Sequence, residues 1–120
     1  MAEYIPIYKP GQALTLKASA TITAGKVVAI SGEATVATAG AASTAVVGVA
    51  AFDAATNDNL TIYAGGVQNV LASGAITAGS PVIAGAAGTV VASAAPPAGQ
   101  QVGVALTGGT DVLVRVQFGR

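Results

Sequence analysis

Polar oxygen atoms gather at one place in this sequence. Asp53, Asn57, Asp58 and Asn59 fall within seven residues, and clustered carboxylate and amide oxygens are what a calcium ion requires. The spacing does not fit a calcium loop, which needs a glycine at its bend and a distal Glu. The same residues suit a turn between strands, where Asx side chains satisfy nearby backbone groups. The remaining acids, Glu3, Glu33 and Asp111, are far apart in the chain and give no sign of a paired acid and base. The 120 residues include no His, Cys or Trp. A Cys/His zinc site, a disulfide and a haem held by His or Cys are therefore excluded, as are a Cys nucleophile and a His base. No glycine pair is followed by Gly-Lys-Ser/Thr, so there is no phosphate loop, and Gly85-Ala86-Ala87-Gly88 reads as a hairpin turn. The expectation is a protein without catalytic residues, metal or cofactor.

The second concentration of side chains is apolar. Tyr4-Ile5-Pro6-Ile7-Tyr8-Lys9-Pro10 holds two of the five aromatic residues and two of the seven Ile. Pro6 and Pro10 bias the segment to an extended path and prevent a helix. Two roles fit it. It is either an edge strand tucked onto the domain's own barrel, or an arm, residues 1–10, that adds to a partner's sheet and seats its side chains in pockets. Tyr is enriched at interfaces, which makes Tyr4, Ile5, Ile7 and Tyr8 the candidate interface residues.

Charge is scarce. Five Lys/Arg balance five Asp/Glu, so there is no basic face for nucleic acid. From Asn59 to Thr110, 52 positions, no residue is charged. In so small a domain much of that run must reach the surface. It is either a weakly polar surface of Thr, Ser, Asn, Gln and Gly, or a surface covered in an assembly. The start of the chain has no basic region followed by an apolar core and does not read as a secretory signal. Ala34 to Phe52 is charge-free for 19 residues, but Ala, Thr, Ser and Gly dominate it and a membrane span is not expected.

The elements that must carry these residues come from a duplication. Ser19-Ala20-Thr21-Ile22-Thr23-Ala24-Gly25 recurs as Ser73-Gly74-Ala75-Ile76-Thr77-Ala78-Gly79, and Val47-Gly48-Val49-Ala50 as Val102-Gly103-Val104-Ala105, at offsets of 54 and 55. Gly11 aligns with Gly65 and Ala18 with Ala72. Residues 11–64 and 65–118 are thus two copies of one β unit. Ala and Gly fill 44 of the 120 positions and Val, Thr and Ile another 35, a composition of small and β-branched side chains. Alternation marks strands at Leu14–Lys17, Leu60–Tyr63 and Val112–Phe118. The last places Val112, Val114, Val116 and Phe118 on one face and Leu113, Arg115 and Gln117 on the other. Further strands are expected at Val27–Ile30, Val46–Ala50, Pro81–Ile83, Gly88–Val91 and Val102–Leu106, separated by Gly, Asn and Pro turn signals. Ile-Thr-Ala-Gly predicts a buried Ile, an outward Thr and a tight turn with Gly at φ > 0. Ala39 to Ala55 holds eight Ala and has helix propensity, but its counterpart runs through Pro96-Pro97-Ala98-Gly99, which no helix interior accepts. A loop followed by a strand is expected, with room for one helical turn near Ala54. The fold class is all-β: a compact small barrel or sandwich of two pseudo-repeats, one domain over 11–120, with an extended N-terminal arm.

The order of these motifs resembles the small capsid cement, or head decoration, proteins of tailed double-stranded DNA phages. The resemblance rests on Tyr4-x-Pro6-x-Tyr8-x-Pro10-Gly11, on Ile22-Thr23-Ala24-Gly25-x-x-Val28, and on Val47 through Ala55. Tyr63-Ala64-Gly65-Gly66-Val67-Gln68 and Val102-Gly103-Val104-Ala105 extend it. It implies an all-β protein on the outer capsid surface of the virion, made in the host cytoplasm. Such a protein binds the major capsid protein after expansion and reinforces the shell against internal DNA pressure. It also implies homotrimers at threefold or quasi-threefold positions and no catalytic residues. The alternative is a β-barrel binding module for a carbohydrate or host-surface ligand. Aromatic platforms are expected there, yet Trp is absent and three of the five aromatic residues are scattered.

Overall fold

The computed structural model describes residues 13–119. Each copy of the repeat folds into five strands of the same connectivity. In the first copy these are β1 (Leu14–Ala18), β2 (Val27–Gly32), β3 (Thr35–Thr38), β4 (Val46–Ala50) and β5 (Asn59–Tyr63). They form a closed barrel in the order β1-β3-β2-β4-β5, with β1 pairing β5 antiparallel and β3 parallel. In the second copy β6 (Gly66–Leu71), β8 (Pro81–Ala84), β9 (Val90–Ala92), β10 (Gln101–Ala105) and β12 (Leu113–Phe118) form a sheet in the order β6-β12-β10-β8-β9. This is the same circular order, opened between β6 and β9. One parallel bridge, Ala72 to Val90, stands where the first barrel pairs Ala18 with Val36. The short pair β7 (Ala75–Ile76) and β11 (Gly109–Thr110) likewise repeats the bridge between Ile22 and Ala54.

The duplication reaches the level of single hydrogen bonds. Ser19 N–H donates to the Val36 carbonyl at 2.8 Å, and Ser73 N–H to that of Val90 at 2.9 Å. Gly25 N–H donates to Ala50 at 2.9 Å, and Gly79 N–H to Ala105 at 2.7 Å. The Ile-Thr-Ala-Gly turn forms as its chemistry requires. Ile22 and Ile76 are buried and Thr23 and Thr77 exposed, while Gly25 and Gly79 take φ of +80° and +89°. In Val-Gly-Val-Ala the glycine admits a close strand crossing. A Cβ on Gly48 would meet the carbonyl oxygen of Tyr63, and one on Gly103 that of Gln117.

Two clusters make the core. Inside the first barrel lie Ala18, Ala50 and Ala54 with Ile22, Leu60 and Ile62. A barrel of few strands has a narrow interior, which accounts for the abundance of Ala and Val. The second cluster fills the other sheet but also takes in Val27, Ala29, Ala39 and Val49 from the first copy. Strand β2 therefore serves two cores, Val28 facing its own barrel and Val27 and Ala29 facing the neighbouring unit. Backbone bonds close the seam, from Ala42 N–H to Ala84 at 2.8 Å and from Gly88 N–H to Ala39 at 3.0 Å.

Three local expectations change. Ala54 pairs with Ile22 rather than starting a helical turn, because both its N–H and carbonyl engage that bridge. Gly88 belongs to a 3-10 turn at Ala86–Gly88, and strand β9 begins at Val90. Val112 precedes β12 and is 48% exposed, whereas Val114, Val116 and Phe118 are buried as expected. Gly48→Ala and Gly103→Ala should each cost about 1–3 kcal/mol, the usual penalty for overpacking. Gly40→Ala, with open space around its Cβ position, should stay within about 0.5 kcal/mol. Urea unfolding of the three variants measures the difference.

Candidate interaction surface

The polar cluster belongs to the scaffold. Asp58 N–H donates to the Ala55 carbonyl at 3.0 Å, Asp58 Oδ2 accepts the Ala55 N–H at 3.0 Å, and Asn57 sits at φ +73°, so the segment is a β-turn, closed in both directions, leading into β5. Asp53 Oδ1 reaches across 29 residues to accept the Ala24 N–H at 2.7 Å, tying the Ile-Thr-Ala-Gly turn to the end of β4. Asp111 Oδ1 accepts the Gly74 N–H at 2.7 Å and fixes the turn before β7. Among the described residues no group of three or more His, Cys, Asp or Glu is placed to hold a metal ion.

Tyr4, Ile5, Ile7 and Tyr8 lie outside the described residues. Their point of attachment is defined, because Leu14 pairs with Ile62 and the described chain begins at exposed Ala13. The uncharged run covers β5 to β11, and four of its large apolar side chains are exposed: Tyr63, Val67, Leu71 and Leu106. Leu71 has a partner just beyond the run. It stands directly opposite Leu113 in the β6–β12 ladder, and Leu113 is 66% exposed. Directly opposed residues on one face of an antiparallel pair have Cβ atoms about 5 Å apart, so the two leucines form a continuous apolar surface. With Asn69 they make one wall of a groove of ≈ 370 Å³ whose other wall is Ala24, Gly25 and Lys26 of the first copy.

The duplication supplies an internal control for this surface. The position of Leu71 is occupied in the first copy by Lys17, and that of Leu113 by Asn59; Lys17 and Asn59 are again a registered pair. Val112, whose carbonyl accepts the Ala72 N–H, corresponds to Asp58, whose carbonyl accepts the Ala18 N–H. At all three positions the same backbone carries polar residues in one copy and exposed apolar residues in the other. The fold does not require the leucines. Alternation along β12 placed Leu113 on the outward face with Arg115 and Gln117 but did not mark it as a contact residue. The comparison of Lys17 and Asn59 with Leu71 and Leu113 is the signal that finds it.

The scaffold is duplicated and alanine-rich, Asp53, Asp58 and Asp111 pin its own turns, and Leu71, Val112 and Leu113 leave apolar surface exposed. A family model described as phage cement protein matches residues 8–116, and the chain belongs to that family. It is a structural, non-enzymatic family of the virion capsid surface. No curated protein sequence matches the chain. The crystal structure of the head fiber gp8.5 N base in bacteriophage phi29 is similar to it in fold, with a TM-score of 0.69 at 20% identity, covering 90% of this chain and 93% of that one.

Asp53→Ala and Asp111→Ala should each lower stability by about 1 kcal/mol through the lost backbone hydrogen bond, and millimolar calcium should leave the melting temperature of the wild type unchanged. A calcium-dependent rise would assign the cluster to metal binding instead.

Proposed function

We propose that this protein binds the outer surface of the expanded phage capsid through the major capsid protein and reinforces the shell against the pressure of packaged DNA. The observation that carries this reading is the match of residues 8–116 to the phage cement proteins. The physics of the chain supports it. Cementing needs a stiff scaffold and broad contacts, and no acid–base pair or cofactor. One contact of ordinary size buries ~800 Å² per partner. A homotrimer at threefold or quasi-threefold sites engages several capsid subunits at once, and linked contacts of this kind raise avidity by ~10²–10⁴ without new chemistry.

In this reading residues 11–120 act as one cooperative domain and residues 1–10 as a docking arm. Tyr4, Ile5, Ile7 and Tyr8 form its capsid or subunit interface. The arm precedes the duplicated unit, and its two prolines bias it to an extended path.

Particles lacking the protein should release DNA at a lower temperature than decorated particles, and added purified protein should restore the difference. Equal release temperatures would sink the proposal. Tyr4→Ala combined with Tyr8→Ala should leave the melting of the isolated protein unchanged. Its particle affinity should fall by a factor of ~10³, since two interface anchors are worth ~2 kcal/mol each. Salt gives a separate check on the contact surface. Raising NaCl from about 0.1 to about 1 M shortens the Debye length from ~10 to ~3 Å. Binding through the uncharged residues 59–110 should weaken less than tenfold over that range.

A further inference from the structure

We propose that the groove between Leu71–Leu113 and Lys26 receives the N-terminal arm, residues 3–8, of a second copy of this chain. The inference rests on the reading above that the arm is an interface and the protein an oligomer, and it names the arm's partner. Three observations converge on the groove. First, its leucines replace Lys17 and Asn59 of the first copy on an equivalent backbone, so their exposure serves something other than folding. Second, among the described residues β6, which carries Leu71, is the outermost strand of its sheet, with one bridge near its end, Ala72 to Val90. The six residues Gly66–Leu71 hold no charge and no proline, the devices that protect an edge from pairing. An uncharged edge, unpaired by the described residues and beside an apolar pair, is a template for an added strand. Third, the charges match. Lys26 lines the groove, and Arg115, opposite Asn69, shares the outward face of β12 with Leu113. The arm carries Glu3 followed by Tyr4, Ile5, Ile7 and Tyr8, one carboxylate for the cationic side and large side chains for the leucines. Pro6 is tolerated in a strand added at an edge.

The strand directions choose the second copy over the same chain. Gly25 and Lys26 bond to Ala50, which pairs with Ile62, which pairs with Leu14. The groove residues Ala24 to Lys26 therefore lie level with Leu14 and beyond it along β1. Ala13, the first described residue, continues β1 the other way, toward the level of Tyr63. An arm that continued in this direction, as the extended bias of Pro6 and Pro10 favours, would lead away from its own groove. With ~3.3 Å per extended residue, residues 3–13 reach ~35 Å, enough to meet a neighbour. Such a contact is head-to-tail, the kind that generates a closed ring when the rotation closes.

The chain has no cysteine, which makes the test clean. Tyr4→Cys protein and Leu71→Cys protein, each otherwise full length, are mixed and oxidised; Leu71 is on the strand that the arm would pair with, within disulfide reach of an added strand. The expected result is a disulfide-linked pair containing one chain of each kind, in excess of the pairs either protein forms alone. Independently, the double substitution Leu71→Lys with Leu113→Asn installs the residues that the first copy already accommodates. Its far-UV circular dichroism spectrum should match the wild type, showing an intact fold, while its molar mass by light scattering falls to that of one chain, with association weakened about 100-fold or more. Absence of the mixed disulfide overturns the proposal. So does a bridge that forms only within one chain when both cysteines share it, or a double variant that keeps the wild-type mass. A double variant that keeps its mass but loses particle binding assigns the groove to the capsid instead. Failure of the wild type to bind particles overturns the cement reading, and the disulfide and mass measurements still decide the arm's partner.

Discussion

The first half of strand β2, Val27 to Ala29, is buried on both faces, and the rest of the structure depends on that. Val28 completes the interior of the first barrel, while Val27 and Ala29 enter the cluster that fills the second unit. A chain of about 50 residues buries too small a fraction of its surface to be comfortably stable alone. Each copy of this duplication is near that size. Placing one strand in two cores lets the copies share apolar burial that neither could supply alone. The bonds from Ala42 to Ala84 and from Gly88 to Ala39 then satisfy the backbone groups that this close approach would otherwise strand. The sharing also explains why the second unit can leave β6 and β9 joined by one bridge and still have a buried interior.

Elements whose cause is local were legible in the sequence. Ile22-Thr23-Ala24-Gly25 and its counterpart specify a turn through one buried side chain and one glycine at positive φ. Both copies obey because nothing outside the turn competes. Pro96-Pro97 argued correctly against a helix over the alanine-rich stretch, since a duplicated backbone must suit both sequences. What escaped depended on distant partners. The 3-10 turn at Ala86–Gly88 is set by docking on the first copy, where Gly88 lies against Lys26 and Val27. Ala54 is held extended by Ile22, 32 positions earlier. Val112 fits the alternation of β12, but the strand starts one residue later, after Asp111 turns at φ +52°. The four arm residues singled out in the sequence lie outside the described residues, and the groove beside Leu113 came only from laying one copy over the other.

Carboxylates are few here, and the three discussed above as turn residues bind backbone N–H groups. An acidic residue held in this way stabilises a turn and is less free to serve as a surface charge. The chain therefore spends much of a small charge inventory on its own loops. Solubility then rests on Thr, Ser, Asn and Gln. That balance is workable for a protein whose apolar surface is covered once assembled, and it is costly for one that stays free.

Duplication separates the demands of folding from those of binding. Both copies must keep the glycine where strands cross, the buried Ile before the turn, and the alanines that fit a narrow interior. Where both copies agree, the residue answers to the backbone. Positions at which they differ on the outer face are released from that demand and answer to something outside the chain. Lys17 with Asn59 and Leu71 with Leu113 occupy one such pair of positions, and the two solutions have opposite affinities for water. An exposed leucine pair costs free energy in the free protein, ~25 cal/mol for each Å² of apolar surface left in water. The first copy demonstrates that the fold offers a polar solution at the same place. Under the proposal above, that leucine surface is removed from water in the assembled state, which would offset the cost of retaining leucine where the first copy carries Lys17 and Asn59.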